Sequence, residues 1–165
     1  MSAPERRCGI GYDSHRFGGE GPLVLGGVEI PGERALEGHS DADVVAHAVT
    51  DAVLGAAGLG DIGEHFPDDE PRHAGADSIA LLAEALEAVG APGWRVVNVD
   101  VSVLAERPRL GPFKAPMAER LAGALGIEPA AVNVKAKSNE GMGFVGRGEG
   151  IAALAVAQLE RAGDA

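Results

Sequence analysis

Hydrophobic positions recur along this chain at two different spacings. From Trp94 to Leu104, Val96, Val97, Val99, Val101 and Val103 largely alternate with polar residues, the β-branched, period-two pattern of a half-buried strand. Short apolar runs at Cys8–Tyr12 and Ala131–Lys137 predict two further strands. Leu23-Val24-Leu25 and Val28-Glu29-Ile30 flank Gly26-Gly27, which is the signature of a tight hairpin. Elsewhere the spacing is helical. Val44, Val45, Ala48, Ala52 and Leu54 predict a helix opened by Ser40 as N-cap, with Asp43 three residues on, and closed near Gly58 or Gly60. Ile79, Leu82, Leu86 and Val89 predict a second helix over Asp77–Val89, and a third runs from Pro116 to Leu125 before Gly126.

Between these elements, Gly18–Pro22 reads as a turn, Asp61–Gly75 as a loop and Gly141–Gly150 as a glycine-rich loop. Ile151–Leu159 is rich in alanine, and its period fits a helix or a strand. Strands and helices alternate irregularly. The predicted class is therefore α+β, a two-layer α/β sandwich, in one domain spanning residues 1–165.

Composition narrows the function. The net charge of −11 argues against a nucleic-acid partner, which requires a basic face. The balance is uneven, since residues 105–147 hold seven basic and four acidic groups in an otherwise strongly acidic chain. A local basic zone of this kind suits a small phosphorylated ligand. The single Cys8 allows neither an internal disulfide nor a cysteine zinc cluster. Residues 1–8 lack the basic-then-apolar order of a leader, and no apolar run approaches the roughly 20 residues of a membrane helix. A soluble, cytoplasmic protein without membrane or nucleic-acid partners is expected.

Candidate chemistry falls in two places. Asp13 and His15 lie two residues apart, so in extended backbone both side chains point to one face. With His47 from the first helix they make an Asp/His/His trio with an open fourth position, the pattern of a catalytic zinc site. Asp43 and Asp51, one helical turn on either side of His47, are candidates to accept its second ring proton. His39-Ser40-Asp41-Ala42-Asp43 gathers an imidazole, a hydroxyl and two carboxylates at a helix start, where free N–H groups suit a phosphate. His65 and His73, in the loop, are read as solvent-facing. Farther on, Lys137-Ser138-Asn139-Glu140 leaves a strand in a polar turn. There Ser138 can donate to a phosphoryl oxygen and Glu140 can ligate Mg²⁺ or Mn²⁺.

These pieces occur in an order that resembles one family along nearly the whole chain. Gly9-Ile10-Gly11-Tyr12-Asp13-Ser14-His15-Arg16-Phe17, Leu25-Gly26-Gly27-Val28-Glu29-Ile30-Pro31, Gly38–Asp43 through His47-Ala48, Leu59–Gly63 with Phe66-Pro67-Asp68, and Lys135–Gly150 are similar to the motifs of the 2-C-methyl-D-erythritol 2,4-cyclodiphosphate synthases. The resemblance implies a mixed four-stranded sheet packed with helices, in a homotrimer that assembles through its sheets, with active sites at the subunit interfaces. It implies that the C-terminal segment is a strand.

The resemblance also assigns roles. Asp13, His15 and His47 would hold Zn²⁺ or another divalent metal, and Glu140 would hold Mg²⁺ or Mn²⁺ with the substrate diphosphate. His39 and Ser138 match the groups that stabilise the transition state, and Ser40 lies beside them. Asp61-Ile62-Gly63 match the segment that holds the methylerythritol diol, and Phe66-Pro67-Asp68-Asp69-Glu70 match a further substrate segment. Ala105-Glu106-Arg107-Pro108-Arg109-Leu110-Gly111 and Lys137-Ser138-Asn139-Glu140 match the cytidine and diphosphate loops, with Phe144 and Arg147 nearby. The family often carries threonines where this chain has Lys137 and Ser138; Ser138 keeps the hydroxyl and Lys137 does not. Phe144 and Arg147 are also implied at a threefold-axis cavity for an isoprenoid diphosphate, where Glu149 would pair with Arg147. The residue types by themselves leave open a zinc hydrolase of a nucleoside diphosphate or a non-catalytic isoprenoid-diphosphate-binding trimer.

Overall fold

The computed structural model describes residues 3–162. Four long strands form its sheet: β1 (Glu5–Gly19), β5 (Arg95–Leu104), β6 (Val132–Lys137) and β7 (Gly150–Arg161). The two-residue β4 (Ala35–Leu36) adds a fifth strand at the β1 edge, giving the order β4-β1-β7-β5-β6. β1, β7 and β5 pair antiparallel, and β5 and β6 pair parallel. The sheet is therefore mixed. β2 (Leu23–Leu25) and β3 (Val28–Ile30) form the separate hairpin, with Gly26 and Gly27 both at positive φ as its turn requires.

Helices α1 (Val44–Ala57), α3 (Ser78–Gly90) and α4 (Lys114–Leu125) cover one face of the sheet. The core lies between the layers. Val99, Val101 and Val103 of β5 and Ala153, Ala155, Ala157 and Leu159 of β7 are buried there against Val45, Val49, Leu82 and Leu121. The alternation in β7, with Leu154 and Val156 exposed between buried alanines, resolves the segment that period alone left ambiguous. Alanine carries no β-branch, so only its partners on the sheet distinguish strand from helix here.

Several boundaries differ from the sequence expectation. β1 runs on through Asp13 and His15 to Gly19, because it pairs with β7 from Glu5↔Arg161 to Arg16↔Gly150. The first helix begins at Val44, and its N-cap is Asp43 rather than Ser40. Asp43 Oδ1 accepts from Val45 N at 3.1 Å and Ala46 N at 3.0 Å. Its two oxygens also accept from Gly26 N (2.7 Å) and Gly27 N (2.6 Å), which ties the hairpin to the helix. Burial pushes the Asp43 carboxyl up to about 6 against the pull of these donors. The segment expected as a loop over 61–75 holds the one-turn helix α2 (Ile62–His65) and a 3₁₀ turn at Pro71–His73. The glycine-rich segment 141–150 likewise contains a one-turn helix, α5 (Gly143–Gly146). No helix among the described residues is long and apolar enough to cross a membrane.

Candidate active site

The site exists because two glycines let a helix approach a strand. A Cβ at Gly9 would lie 2.1 Å from the carbonyl oxygen of Ala52, and one at Gly11 would lie 1.8 Å from that of Ala48. With no side chain at either position, α1 rests directly on β1. Gly9, Gly11, Asp13 and His15 share one face of the strand by its period of two. The same contact therefore brings His47 of α1 against Asp13 and His15.

Three ligand atoms converge. Asp13 Oδ2 lies 2.9 Å from His15 Nε2 and 3.0 Å from His47 Nδ1, and the two ring nitrogens are 3.2 Å apart. A tetrahedral zinc with bonds of about 2.0–2.2 Å sets its ligand atoms roughly 3.3–3.6 Å apart. The triangle matches that spacing to within a few tenths of an ångström. His15 Nδ1 donates to the carbonyl of Glu37 at 2.6 Å, so in the neutral ring Nε2 presents a lone pair to the trio. The residues fit a divalent metal, and among the described residues they are the cluster able to hold one.

Electrostatics agree with the geometry. Burial pushes the Asp13 carboxyl up, but hydrogen bonds and charge from His15 and His47 outweigh it and hold the group well below the usual carboxylate range. Burial lowers the His15 pKa, yet the bond to Asp13 prevails and the net shift is upward. Asp51 is pushed up by burial. It does not serve His47, since its Oδ1 accepts from Ile62 N at 2.7 Å and so docks α2 onto α1. Asp43 is likewise committed to the helix cap and the hairpin. The outer nitrogen of His47 meets Ser78 Oγ at 2.8 Å and Ser40 Oγ at 3.1 Å instead. Both expected carboxylate partners of His47 are thus replaced by hydroxyls.

The trio lines a cleft of about 260 Å³ together with Tyr12, Gly38, His39, Ser40, Asp51, Ile62, Gly63, Phe66, Asp68, His73 and Leu81. Nine expected site residues meet there: Asp13, His15, His39, Ser40, His47, Ile62, Gly63, Phe66 and Asp68. Asp61 stands beside them as the N-cap of α2, accepting from Glu64 N at 3.0 Å. Pro67, Asp69 and Glu70 follow in the same segment but do not line the cleft.

At the start of α1 the Asp43 carboxylate occupies the N–H groups of Val45 and Ala46, two of the donors expected for a phosphate. His73 is not solvent-facing. It is 5% exposed, packed edge-on against Phe66, with Nε2 3.4 Å from Glu70 Oε2. His65 is half-buried, and its Nε2 lies 2.8 Å from the Leu59 carbonyl oxygen. Sequence reasoning missed Ser78 and His73 as cleft neighbours; no local pattern marks either.

The remaining expected residues form a second cluster outside this cleft. Glu106 accepts from Asn139 N at 2.7 Å and Gly141 N at 3.3 Å, and Ala105 N donates to the Lys137 carbonyl at 2.9 Å. These bonds bind the 105–111 and 137–141 segments into one unit. Ser138 Oγ donates to Glu140 Oε1 at 3.0 Å, and Glu140 adopts φ +51°. Arg107, Arg109 and Lys137 are exposed, with no ion pair among the described residues. Arg147 Nε lies 2.7 Å from Glu149 Oε1. Phe144 is partly exposed beside Ser14, His15 and Arg16.

An α+β fold that presents an Asp/His/His metal trio in a cleft defines a candidate metal-dependent enzyme. Residues 6–160 match the YgbB family, and the chain belongs to it. The chain is 54% identical over 153 residues to the 2-C-methyl-D-erythritol 2,4-cyclodiphosphate synthase of Gemmatimonas aurantiaca, covering 93% of this chain and 92% of the relative. It is 60% identical over 159 residues to the protein of the same name from Rubrobacter xylanophilus, covering 94% and 96%. Among solved structures it is similar to the bifunctional IspDF of Campylobacter jejuni, with a TM-score of 0.93 and 43% identity over 97% of this chain and 43% of that one. It is also similar to the IspF of Plasmodium falciparum solved as a CDP complex, with a TM-score of 0.83 and 30% identity over 98% and 100%.

Proposed function

We propose that this chain converts 4-diphosphocytidyl-2-C-methyl-D-erythritol 2-phosphate to 2-C-methyl-D-erythritol 2,4-cyclodiphosphate and CMP, the cyclising lyase step of the non-mevalonate isoprenoid pathway. The observation that carries this reading is the convergence of Asp13, His15 and His47 in a cleft shared with His39, Ile62 and Gly63. The relatives' names give the product, and the resemblance of the motifs implies the substrate.

In the reaction, an oxygen of the 2-phosphate attacks the β-phosphorus. The bond from that phosphorus to the bridging oxygen breaks, and the bridging oxygen departs on CMP. The nucleophile is already an anion, so the protein's task is to align two like-charged groups and offset their charge. A divalent metal on the trio, zinc in this reading, supplies Lewis-acid polarisation of a phosphoryl oxygen. Glu140 contributes one exposed carboxylate, a donor set that suits Mg²⁺ or Mn²⁺ carried mainly by substrate phosphates.

The other residues bind and orient. Asp61, Ile62 and Gly63 hold the diol, with Phe66 to Glu70 closing that side. Ala105 to Gly111 hold the cytidine, and Lys137 to Asn139 hold the diphosphate. His39, exposed at the cleft, and Ser138 donate hydrogen bonds as charge develops. Ser138 must then give up its bond to Glu140 when substrate arrives.

This division of the site between two clusters supports interfacial active sites, with one subunit's cleft completed by a neighbour's 105–111 and 137–141 segments. The outer sheet face supports a homotrimer. Ile10 and Tyr12 of β1 are 69% and 53% exposed, and their partners Val156 and Leu154 of β7 are 47% and 38% exposed. Such a contiguous apolar face is the mark of an interface. The Arg147–Glu149 pair and Phe144 fit an isoprenoid diphosphate on the threefold axis. The one free cysteine suits a reducing cytoplasm.

The test is incubation of the substrate with protein, zinc and magnesium in ¹⁸O-labelled water. Release of CMP with an unlabelled cyclic diphosphate is expected. A linear, ¹⁸O-labelled product would establish a hydrolase, and tight binding without CMP release would establish a carrier.

A further inference from the structure

The hydroxyl that meets His47 is itself constrained. Ser78 is fully buried at the first turn of α3, and its Oγ touches three polar atoms: His47 Nε2 at 2.8 Å, Ser40 Oγ at 3.3 Å and, in a short contact, Asp41 Oδ1. Ser78 N donates to the other carboxylate oxygen, Asp41 Oδ2, at 3.1 Å. Asp41 Oδ1 also accepts from Asp43 N at 3.1 Å, and Asp41 N donates to the Ala76 carbonyl at 3.1 Å. Asp41 and Ser78 are therefore fixed to each other at both ends, across 37 residues of sequence.

A serine hydroxyl has one hydrogen and two lone pairs, and an ionised carboxylate only accepts. Ser78 must give its hydrogen to Asp41, and towards His47 it has only a lone pair to offer. Nε2 of His47 must then carry the ring proton. In the neutral ring Nδ1, which in the charged ring donates to Asp13, is left with the lone pair that a metal requires.

We infer that Asp41 and Ser78 act as positioning residues that set His47 in its metal-binding tautomer. The inference rests on the metal reading of the trio proposed above. It also ties the metal site to the start of α3, and so to the segment 61–77 that leads into it. Neither Asp41 nor Ser78 is a metal ligand in that reading. Asp43 and Asp51, the carboxylates nearest His47 in sequence, take no part.

Two measurements on the full chain test this. The first is zinc affinity by competition with a chromophoric chelator. Ser78→Ala should bind zinc roughly 10–100-fold more weakly, the usual cost of losing a partner behind a ligand. Ser78→Thr, which keeps the hydroxyl, should stay close to wild type. Asp41→Asn should also weaken binding, because its amide must turn an N–H towards Ser78, at Oγ or at the backbone N, and either orientation loosens the hold on the hydroxyl hydrogen. Ser40→Ala combined with Ser78→Ala should lose more than Ser78→Ala alone, since Ser40 Oγ lies 3.1 Å from the same nitrogen.

The second measurement is the ¹⁵N spectrum of the histidine rings in chelator-treated protein. At a pH where the ring is neutral, wild-type His47 should be in the Nε2–H tautomer, and Ser78→Ala should shift it towards a mixture. A merely structural serine would leave the tautomer unchanged. Zinc affinities of Ser78→Ala and Asp41→Asn within twofold of wild type, or a neutral wild-type His47 ring protonated on Nδ1, would overturn the inference. If Ser78→Ala fails to fold, Asp41→Asn and the wild-type spectrum decide. Wild-type protein that binds no stoichiometric zinc overturns the metal reading itself, which is a distinguishable result.

Discussion

Gly11 of β1 faces the carbonyl of Ala48 in α1 so closely that a Cβ would sit 1.8 Å from the oxygen. The neighbouring residue along the helix is His47, so this contact sets the distance between the helix ligand and the two strand ligands. Gly11→Ala should force α1 away from the sheet. Overpacking of this kind typically costs about 1–3 kcal/mol, and backbone against backbone leaves little room to relax, so the upper end is expected. The melting temperature should fall by roughly 6–12 °C for a chain of this size. Zinc affinity should fall with it. A variant with unchanged melting temperature and zinc content would show that α1 does not depend on this contact.

His47→Ala removes one of three ligands. Zinc affinity should drop by more than about 100-fold and turnover should be lost, while the circular dichroism spectrum stays that of a folded protein. Stoichiometric zinc after dialysis, together with normal CMP release, would remove His47 from the site.

Ser138→Ala should lower the turnover number by roughly 10²–10³ with a smaller effect on the Michaelis constant, because a hydroxyl aimed at developing charge acts mainly in the transition state. Steady-state kinetics decide this. An unchanged turnover number with a raised Michaelis constant would give Ser138 a uniform binding role.

In metal-free protein, Asp13 and His15 make stability depend on pH in a definite window. The folded Asp13 pKa lies below its unfolded value of about 3.9, so its contribution is present above that pH and is lost as pH falls through the depressed folded pKa. The folded His15 pKa lies above its unfolded value of about 6.5, so its contribution is complete below that pH and is lost as pH rises through the raised folded pKa. The melting-temperature advantage of wild type over Asp13→Asn, in chelator, should be largest between roughly pH 4 and 6.5. Zinc should reverse the upper trend, because protons compete for the same lone pairs and binding strengthens as they leave. An advantage that grows from neutral to alkaline pH in chelator would contradict the pairing.

The apolar face of β1 and β7 should be an assembly surface. Ile10→Glu with Val156→Glu places charges at paired positions on that face. Sedimentation velocity should find trimers in wild type and monomers in the double variant, and CMP release should fall with assembly. A trimeric double variant would move the interface elsewhere.

By itself the sequence determined the periods and the turn chemistry. The valines of β5, the Gly26-Gly27 hairpin and the helical spacing of α1, α3 and α4 are local properties, governed by backbone sterics and by which side chains share a face. The pairing of Asp13 with His15 was legible for the same reason, since a period of two places them together in any strand. The ordered family motifs made the metal trio legible as well.

Tertiary structure decided which groups complete that site. Asp43, not Ser40, caps α1, because the hairpin brings Gly26 and Gly27 N–H groups to the same carboxylate. Ser78 and Asp41, not Asp43 or Asp51, stand behind His47, because the start of α3 packs beside α1. His73 is buried because Phe66 folds over its ring. The 105–111 and 137–141 segments join through Glu106 rather than through the cleft. Each of these contacts joins residues whose sequence separation no period records. They form only when two layers close on one another, and the two side-chain-free positions at Gly9 and Gly11 set how closely those layers meet.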